Sequence, residues 1–184
     1  LNKKENDNRN NYFEIDLNDL KIRPSYYDLV FSNNFLHLTS NFEYTINCIY
    51  NSLSDNGFFI AIIPDVENMY QLVNTMYKVD MTLYDGVYKR FNSTYKVDDI
   101  LSLLKKINFK IPTINVDTIK IEYSDFKNLL VDCRSTNLSY CYHDKKKSFE
   151  NKYYFEYLEK EYKKNYFDKN FLLDIKLNII SAWK

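Results

Sequence analysis

The chain has 184 residues, 45% hydrophobic and 27% charged, which suits one globular domain with its own core. Lys plus Arg and Asp plus Glu balance at 25 each, so the zero net charge argues against a nucleic-acid-binding protein that works through a broad basic field. No apolar run approaches about 18 residues, so we expect no membrane span.

Two features of the composition are unusual. The chain contains only 2 Gly but 18 Tyr, which indicates a coding bias, and a tyrosine-rich binding face is the alternative. Cys48, Cys133 and Cys141 form no CxxC pair, so neither a metal site nor a disulfide framework is predicted. Buried, reduced thiols in an intracellular protein are expected instead.

The first third of the chain predicts two strands that each end in polar residues. Residues 1–11 are polar and predict a loop or a disordered terminus. The apolar run 12–15 stops at Asp16, and the run 26–31 stops at Ser32-Asn33-Asn34.

A helix and a buried strand follow. Ser40 and Glu43 form a capping box before apolar positions at helical spacing. Residues 55–57 predict a turn, and the apolar run 58–63 predicts a strand buried on both faces, as in a parallel sheet.

The remaining segments continue the alternation of helices and strands. Apolar positions predict helices over 66–76, after Thr94 and after Ser124, where Thr94 and Ser124 serve as caps. The other predicted elements are strands at 109–116 and 119–123, a polar loop at 143–147, a long helix at 148–166 and a terminal strand at 172–183. This order predicts a single α/β domain over residues 1–184 with a mostly parallel sheet.

In an open α/β sheet, ligands bind at the carboxyl ends of the strands. This rule points to Asp16, to residues 32–34 and to Pro64-Asp65. Asp16 could accept a hydrogen bond from an exocyclic amine, and the turn at 32–34 could present backbone groups to a ligand. The alternative is that these residues only end the strands.

Two segments resemble motifs of the class I, S-adenosylmethionine (SAM)-dependent methyltransferases. Residues 27–38, YDLVFSNNFLHL, resemble the motif of the family's fourth strand, and residues 53–59, LSDNGFF, resemble the turn that opens its fifth strand. The spacing between them accommodates one helix. The resemblance implies a Rossmann-like methyltransferase sheet with an antiparallel terminal strand.

Further segments are similar to one branch of that family, the complex I assembly methyltransferase-like proteins of mitochondria and their biotin-synthesis relative, a malonyl-carrier-protein methyltransferase. These segments are DVENMYQL at 65–72, VDTIKIEY at 116–123, DCR at 132–134 and IISAWK at 179–184. Residues 135–137 and the region of Pro64 differ from that branch, which has glycines there, so the substrate cannot be carried over.

The resemblance implies roles for six residues. Asp16 stands where the family contacts the adenine amino group, with Leu17 beside it, and Ser32 and Asn33 stand beside the methionine part of SAM. His37 and Arg134 stand on the substrate side, and for His37 the alternative is a packing residue at a helix start. No metal is implied, because the sequence has no cluster with metal-ligand spacing.

Three functions remain open for the protein: methyl transfer to a small molecule or a protein, assembly of a respiratory complex with hydroxylation of a protein arginine, and a scaffold that does not bind SAM. The mitochondrial location is implied only by the resemblance, and a cytoplasmic one is the alternative. No nucleic acid is expected as a partner, and a homo-oligomer stays open.

We expect the chain by itself to bind SAM very weakly. The family holds SAM with a glycine-rich turn after its first strand, whereas Gly57 and Gly86 both follow the fourth-strand motif, so the SAM-binding amino-terminal half is expected to be absent. Isothermal titration calorimetry of this polypeptide with SAM tests the prediction, and micromolar affinity would contradict it.

Overall fold

The computed structural model describes residues 20, 22–91, 94–135 and 150–184. The predicted segments 1–11, 12–15 and 143–147 lie outside these ranges. The strands are β1 (Tyr27–Asn33), β2 (Leu53–Pro64), β3 (Lys110–Tyr123), β4 (Phe167–Asp168) and β5 (Asn170–Trp183). The helices are α1 (Phe42–Ser52), α2 (Tyr70–Tyr84), α3 (Val97–Lys106), α4 (Phe126–Ser135) and α5 (Lys152–Tyr166), with a 3-10 turn at Leu36–Leu38.

The long strands form one sheet in the order β1-β2-β5-β3, and the short β4 pairs with β5. β1 and β2 are parallel, whereas β5 is antiparallel to both β2 and β3. β1, β2 and β3 therefore run in one direction, and β5 runs against them. The predicted α/β fold with an antiparallel terminal strand is confirmed.

The pairing of β1 with β2 is the decisive feature of this topology. Val30 pairs with Phe59 and Phe31 with Ile60, so the two apolar runs predicted from the sequence are adjacent parallel strands. Parallel strands need a crossover connection, and α1 supplies it.

Helices cover both faces of the sheet and form two hydrophobic cores. The first core lies between α1, α3 and the face that carries Phe59, Ala61 and Ile180. The second lies between α2, α4, α5 and the opposite face of β5, where Phe171 and Leu173 point. Side chains of a strand alternate between faces, so β5 contributes to both cores.

Part of the sheet surface is apolar and open to solvent. Leu29 and Phe31 on β1 each expose 58% of their surface, on the face opposite the first core. The described residues therefore leave an uncovered apolar face over β1.

Helix starts differ by one or two residues from the prediction. α1 is capped by Asn41 and not by Ser40, since the Asn41 Oδ1 accepts a hydrogen bond from the Tyr44 amide at 2.9 Å. Thr94 does not cap α3, which begins after Lys96. Near the start of α4, the side chain of Asp125, which follows the predicted cap Ser124, accepts a hydrogen bond from the backbone.

α2 begins later than its predicted apolar stripe because residues 65–69 dock on the edge of β5. The Asn68 Oδ1 accepts a hydrogen bond from the Lys176 amide at 3.0 Å, and the Gln71 Oε1 accepts one from the Asp174 amide at 3.1 Å. These side chains continue the hydrogen bonding of β5 where β2 ends. β3 is likewise one strand and not the two predicted, because its pairing with β5 runs without interruption from residue 113 to residue 123.

The cysteines differ in their surroundings. Cys133 is buried in the second core and Cys48 is half-buried, whereas Cys141 lies outside the described residues. Burial, together with the negative charge of Asp132, raises the pKa of the Cys133 thiol to about 12. That thiol is therefore protonated and a poor nucleophile at neutral pH.

Gly57 lies in a bulge of β2 that has no room for a side chain. Between Tyr27–Leu53 and Leu29–Phe58 the register shifts, and the intervening residues of β2 bulge out. A Cβ atom at Gly57 would lie 2.9 Å from the carbonyl oxygen of Ser54 and 3.0 Å from that of Tyr27. Glycine is required here by the close approach of two backbones.

Gly57→Ala should therefore lower the free energy of unfolding by about 1–3 kcal/mol, since backbone atoms must move to admit the methyl group. Urea denaturation followed by circular dichroism measures the change. Gly86→Ala is the matched control, because the nearest atom to its Cβ would be 3.9 Å away. Equal stability of the two variants would contradict the steric argument.

Candidate functional site

The polar residues after β1 and β2 lie at the same edge of the sheet. Asn33 pairs with Ile62, and the Asn34 amide donates a hydrogen bond to the Ile62 carbonyl at 2.9 Å. Asn34 itself adopts a left-handed conformation with φ 48°. The predicted turn at 32–34 is instead the end of β1, which continues to Asn33, and it meets the Pro64-Asp65 segment as expected for parallel strands.

The end of β1, at residues 32–34, carries buried polar atoms that lack partners within the described ranges. Ser32 Oγ and Asn34 Oδ1 are buried and have no hydrogen-bond partner among the described residues. Ser32 has the same orientation as Val30, toward the first core, whereas Asn33 is exposed on the opposite face. A buried polar atom without a partner is costly, so these atoms are candidates for contact with a ligand.

A cavity of about 520 Å³ opens beside this edge, and we call it the strand-end cavity. It lies between the residues that follow β1 and β2, the first turns of α2, and the side chains of Lys89, Phe91 and Thr94. Its lining includes His37, Asp65, Asn68, Tyr77, Lys89 and Phe91. A concave site of this size, partly polar and partly apolar, can hold a small molecule or a side chain.

His37 and Asp65 enter the cavity wall from the two neighbouring strand ends. His37 lies in the 3-10 turn after β1 and exposes only 5% of its surface. Asp65 also exposes 5%, and its Oδ1 accepts a hydrogen bond from the Glu67 amide at 3.0 Å. The sequence pointed to both residues.

Of the other predicted site residues, the described ones, Ser32, Asn33 and Arg134, do not line the cavity. Arg134 is exposed at the end of α4, where its guanidinium lies 5.7 Å from the centre of the Phe155 ring, and it does not line the cavity. Asp16 and Leu17 lie outside the described residues. The proposed contacts of Asp16, Leu17, Ser32, Asn33, His37 and Arg134 with cofactor or substrate stay predictions.

A buried charge network holds the segment after α2 that lines the cavity, and no sequence pattern predicted this network. Asp80 is fully buried in α2, and its carboxylate receives hydrogen bonds from Arg90 at 2.5 and 3.1 Å and from the Tyr154 hydroxyl at 3.0 Å. Arg90 also contacts Glu150 at 2.6 Å. The network joins α2, the segment after it and α5.

The surroundings of this network keep Arg90 charged and Tyr154 neutral. Burial alone would lower the pKa of Arg90, but hydrogen bonds to Asp80 and Glu150 outweigh that effect and raise it. Burial raises the pKa of Tyr154 well above its usual range, although the nearby Arg90 charge opposes the shift. Both groups keep their protonation states throughout the physiological pH range.

The described ranges contain neither a cluster of metal-ligand side chains nor a helix that could span a membrane. No group of three or more His, Cys, Asp or Glu side chains is placed to hold a metal ion there. No helix in these ranges is long and apolar enough to cross a bilayer.

Comparison with solved structures identifies the fold. The structure of a protein from Bacillus halodurans that is described as a methyltransferase superposes on this chain with a TM-score of 0.58. The two sequences are 14% identical, and the superposition covers 93% of this chain and 70% of that protein. The chain has the class I methyltransferase fold. In addition, residues 1–61 match the sequence profile of the methyltransferase domain family.

Two curated proteins of Dictyostelium discoideum are similar to parts of this chain. Arginine-hydroxylase NDUFAF5, mitochondrial, is 24% identical over 108 residues, which are 59% of this chain and 25% of that protein. Probable polyketide synthase 24 is 48% identical over 40 residues, which are 22% of this chain and 2% of that protein. The chain thus spans a quarter or less of the length of these relatives.

Replacement of Asp80 tests the energetic importance of the network. Asp80→Asn should destabilise the domain by about 3–5 kcal/mol, because it leaves the buried Arg90 charge without its closest partner. Chemical denaturation measures the effect. The control is Glu43→Gln, which breaks the exposed pair with Lys106 and should cost less than about 1 kcal/mol. A loss at Asp80 no larger than at Glu43 would show that the network is not needed for stability.

Proposed function

We propose that this chain is part of a SAM-dependent methyltransferase whose methyl acceptor binds in the strand-end cavity. The proposal is supported by the methyltransferase fold and by the cavity at the carboxyl ends of β1 and β2, where ligands of open α/β sheets bind. The observation that carries it is the pair of buried polar atoms at that edge, Ser32 Oγ and Asn34 Oδ1, which have no hydrogen-bond partner within the part of the chain that the structure describes.

The residues at the end of β1 fit one part of SAM. Ser32 Oγ can donate or accept a hydrogen bond and Asn34 Oδ1 can accept one, so together they suit the charged amino and carboxyl groups of its methionine portion. Asp16 and Leu17 are proposed to contact the adenine. SAM, when bound, supplies a methyl group made electrophilic by its sulfonium.

The role of the chain in the reaction is positioning. The acceptor in the cavity must direct its oxygen, nitrogen or carbon nucleophile toward the end of β1, where the methionine portion is proposed to lie. Holding reactants in line can supply much of the rate enhancement without a general base. His37, buried in the cavity wall, is proposed to contact the acceptor.

A second function is hydroxylation of a protein arginine by a methyltransferase-like assembly factor. It is favoured by the similarity to the mitochondrial arginine-hydroxylase of Dictyostelium discoideum, which covers 59% of this chain. The same similarity supports a mitochondrial location. The mass of the product separates the two functions, because methylation adds the mass of one methylene and hydroxylation adds that of one oxygen atom.

Cofactor binding by the protein at its full length tests the proposal. Ser32→Ala and Asn34→Gly should each weaken SAM binding by about 3–10-fold, the equivalent of one hydrogen bond. Glycine keeps the left-handed backbone of Asn34 while removing the carboxamide. Isothermal titration calorimetry measures the affinities.

Asn56→Gly is the matched control, since Asn56 is also left-handed, with φ 63°, but lies in the bulge at the opposite end of β2. It should leave SAM affinity unchanged. The proposal fails if the full-length protein does not bind SAM. It also fails if Ser32→Ala and Asn34→Gly bind SAM with the same affinity as the control Asn56→Gly.

A further inference from the structure

The segment after α2 forms one wall of the strand-end cavity, and we call residues 87–91 the strap. Lys89 and Phe91 line the cavity. Tyr88 and Arg90 instead contact α2, with the Tyr88 ring centre 5.4 Å from that of Tyr84 and Arg90 paired with Asp80. The strap thus alternates between residues that anchor it and residues that line the cavity.

The anchor is strong enough to hold the strap in one place. Asp80 accepts two hydrogen bonds from the Arg90 side chain and, at 3.2 Å, one from the backbone amide of Tyr88. Glu150, which lies two residues before α5, also binds Arg90. Charge-assisted, bidentate contacts of this kind fix geometry as well as contributing energy. Lys89 and Phe91 are therefore presented from a rigid backbone.

The two charged side chains of the cavity wall, Asp65 and Lys89, differ in their salt-bridge partners. Asp65 accepts a hydrogen bond from the Glu67 amide, and its carboxylate lies 3.6 Å from Lys176 Nζ, so its charge is compensated. Lys89 is exposed and forms no salt bridge within the described ranges. With respect to the described residues, the charge in the cavity wall that lacks a salt-bridge partner is thus the positive charge of Lys89.

An apolar surface lies next to this charge. Phe91, Val73 and Tyr77 line the same cavity, and Val73 and Tyr77 continue into a neighbouring groove of about 530 Å³ along α2. An acceptor with an anionic end and an apolar body matches this arrangement of side chains.

We propose that the strap determines the specificity of the acceptor site, and that Lys89 binds an anionic group of the methyl acceptor while Phe91 packs against its apolar part. The inference rests on the proposed function and adds the chemical class of the substrate. A carboxylate and a phosphate ester both provide the oxygen acceptors that a lysine ammonium binds.

Four small probes of similar shape test the charge preference on the full-length protein. They are 4-methylpentanoate, 3-methylbutyl phosphate, the neutral 4-methylpentanamide and the cationic 4-methylpentylamine. NMR titration should give an affinity at least about tenfold higher for an anionic probe than for the amide, the effect of one charge-assisted hydrogen bond. Comparison of the first two probes decides between carboxylate and phosphate.

Substitutions at Lys89 assign the preference to that residue. Lys89→Met should abolish the preference for the anion over the amide, and Lys89→Arg should keep it. Lys105→Met, which removes an exposed lysine on α3 that does not line the cavity, should have no effect. Lys89 is exposed, so its replacement should not disturb folding.

The inference is overturned if the amine or the amide binds as well as the anions, or if Lys89→Met retains the preference. SAM affinity is measured on the same samples and should not change in Lys89→Met. Loss of SAM binding in every sample would refute the proposed methyltransferase function, whereas normal SAM binding without discrimination between probes would refute only the role of Lys89.

Discussion

The parallel pairing of β1 with β2 is the constraint on which the site depends. Because the two strands run in the same direction and in register from Leu29–Phe58 to Asn33–Ile62, both must end at one edge of the sheet. A shift by a single residue would turn Phe59, Ala61 and Ile63 away from the first core, so the buried face also fixes the register. The strand-end cavity is a consequence of that pairing.

The contacts of the bulge in β2 explain why the motif at 53–59 contains a serine at position 54 and a glycine at position 57. Ser54 Oγ donates a hydrogen bond to Asp28 Oδ1 at 2.6 Å, which joins the beginning of β2 to that of β1, and Gly57 gives the backbone room to pass. Two segments that resemble family motifs are therefore in contact. Their contact at the beginnings of the strands stabilises the strand pairing, and the edge where a ligand is proposed to bind lies at the other end of the strands.

The features that the sequence predicted are those that depend on local patterns. The apolar runs at 26–31 and 58–63 became strands because they are buried in a sheet, and the helical stripes became helices because one face of each is buried. The start of α2 and the continuity of β3 were not predicted, since they depend on partners in β5 more than fifty residues away along the chain.

In the candidate site, too, the residues that follow from local patterns were predicted and those that depend on distant contacts were not. The strand ends at 32–34 and 64–65 followed from a general rule for α/β sheets, and His37 followed from a motif. Lys89 and Phe91 had no sequence signal, because the strap that carries them is held by the Asp80–Arg90 pair, and that pairing depends on a buried tertiary contact. Sequence patterns record which residues are buried, but they do not record which buried charges meet.

The scarcity of glycine has a consequence for engineering the domain. Among the described residues, left-handed backbone occurs at Ser25, Asn34, Asn56, Met69, Asp85, Asn108, Ile111 and Lys169, and none of these is glycine. Such a conformation costs an ordinary L-residue about 1–2 kcal/mol, and the branched side chain of Ile111 makes it especially unfavourable there. These positions thus hold conformational strain that glycine would relieve, which makes exposed ones such as Ile111, at the irregular start of β3, natural starting points for raising the thermal tolerance of the domain.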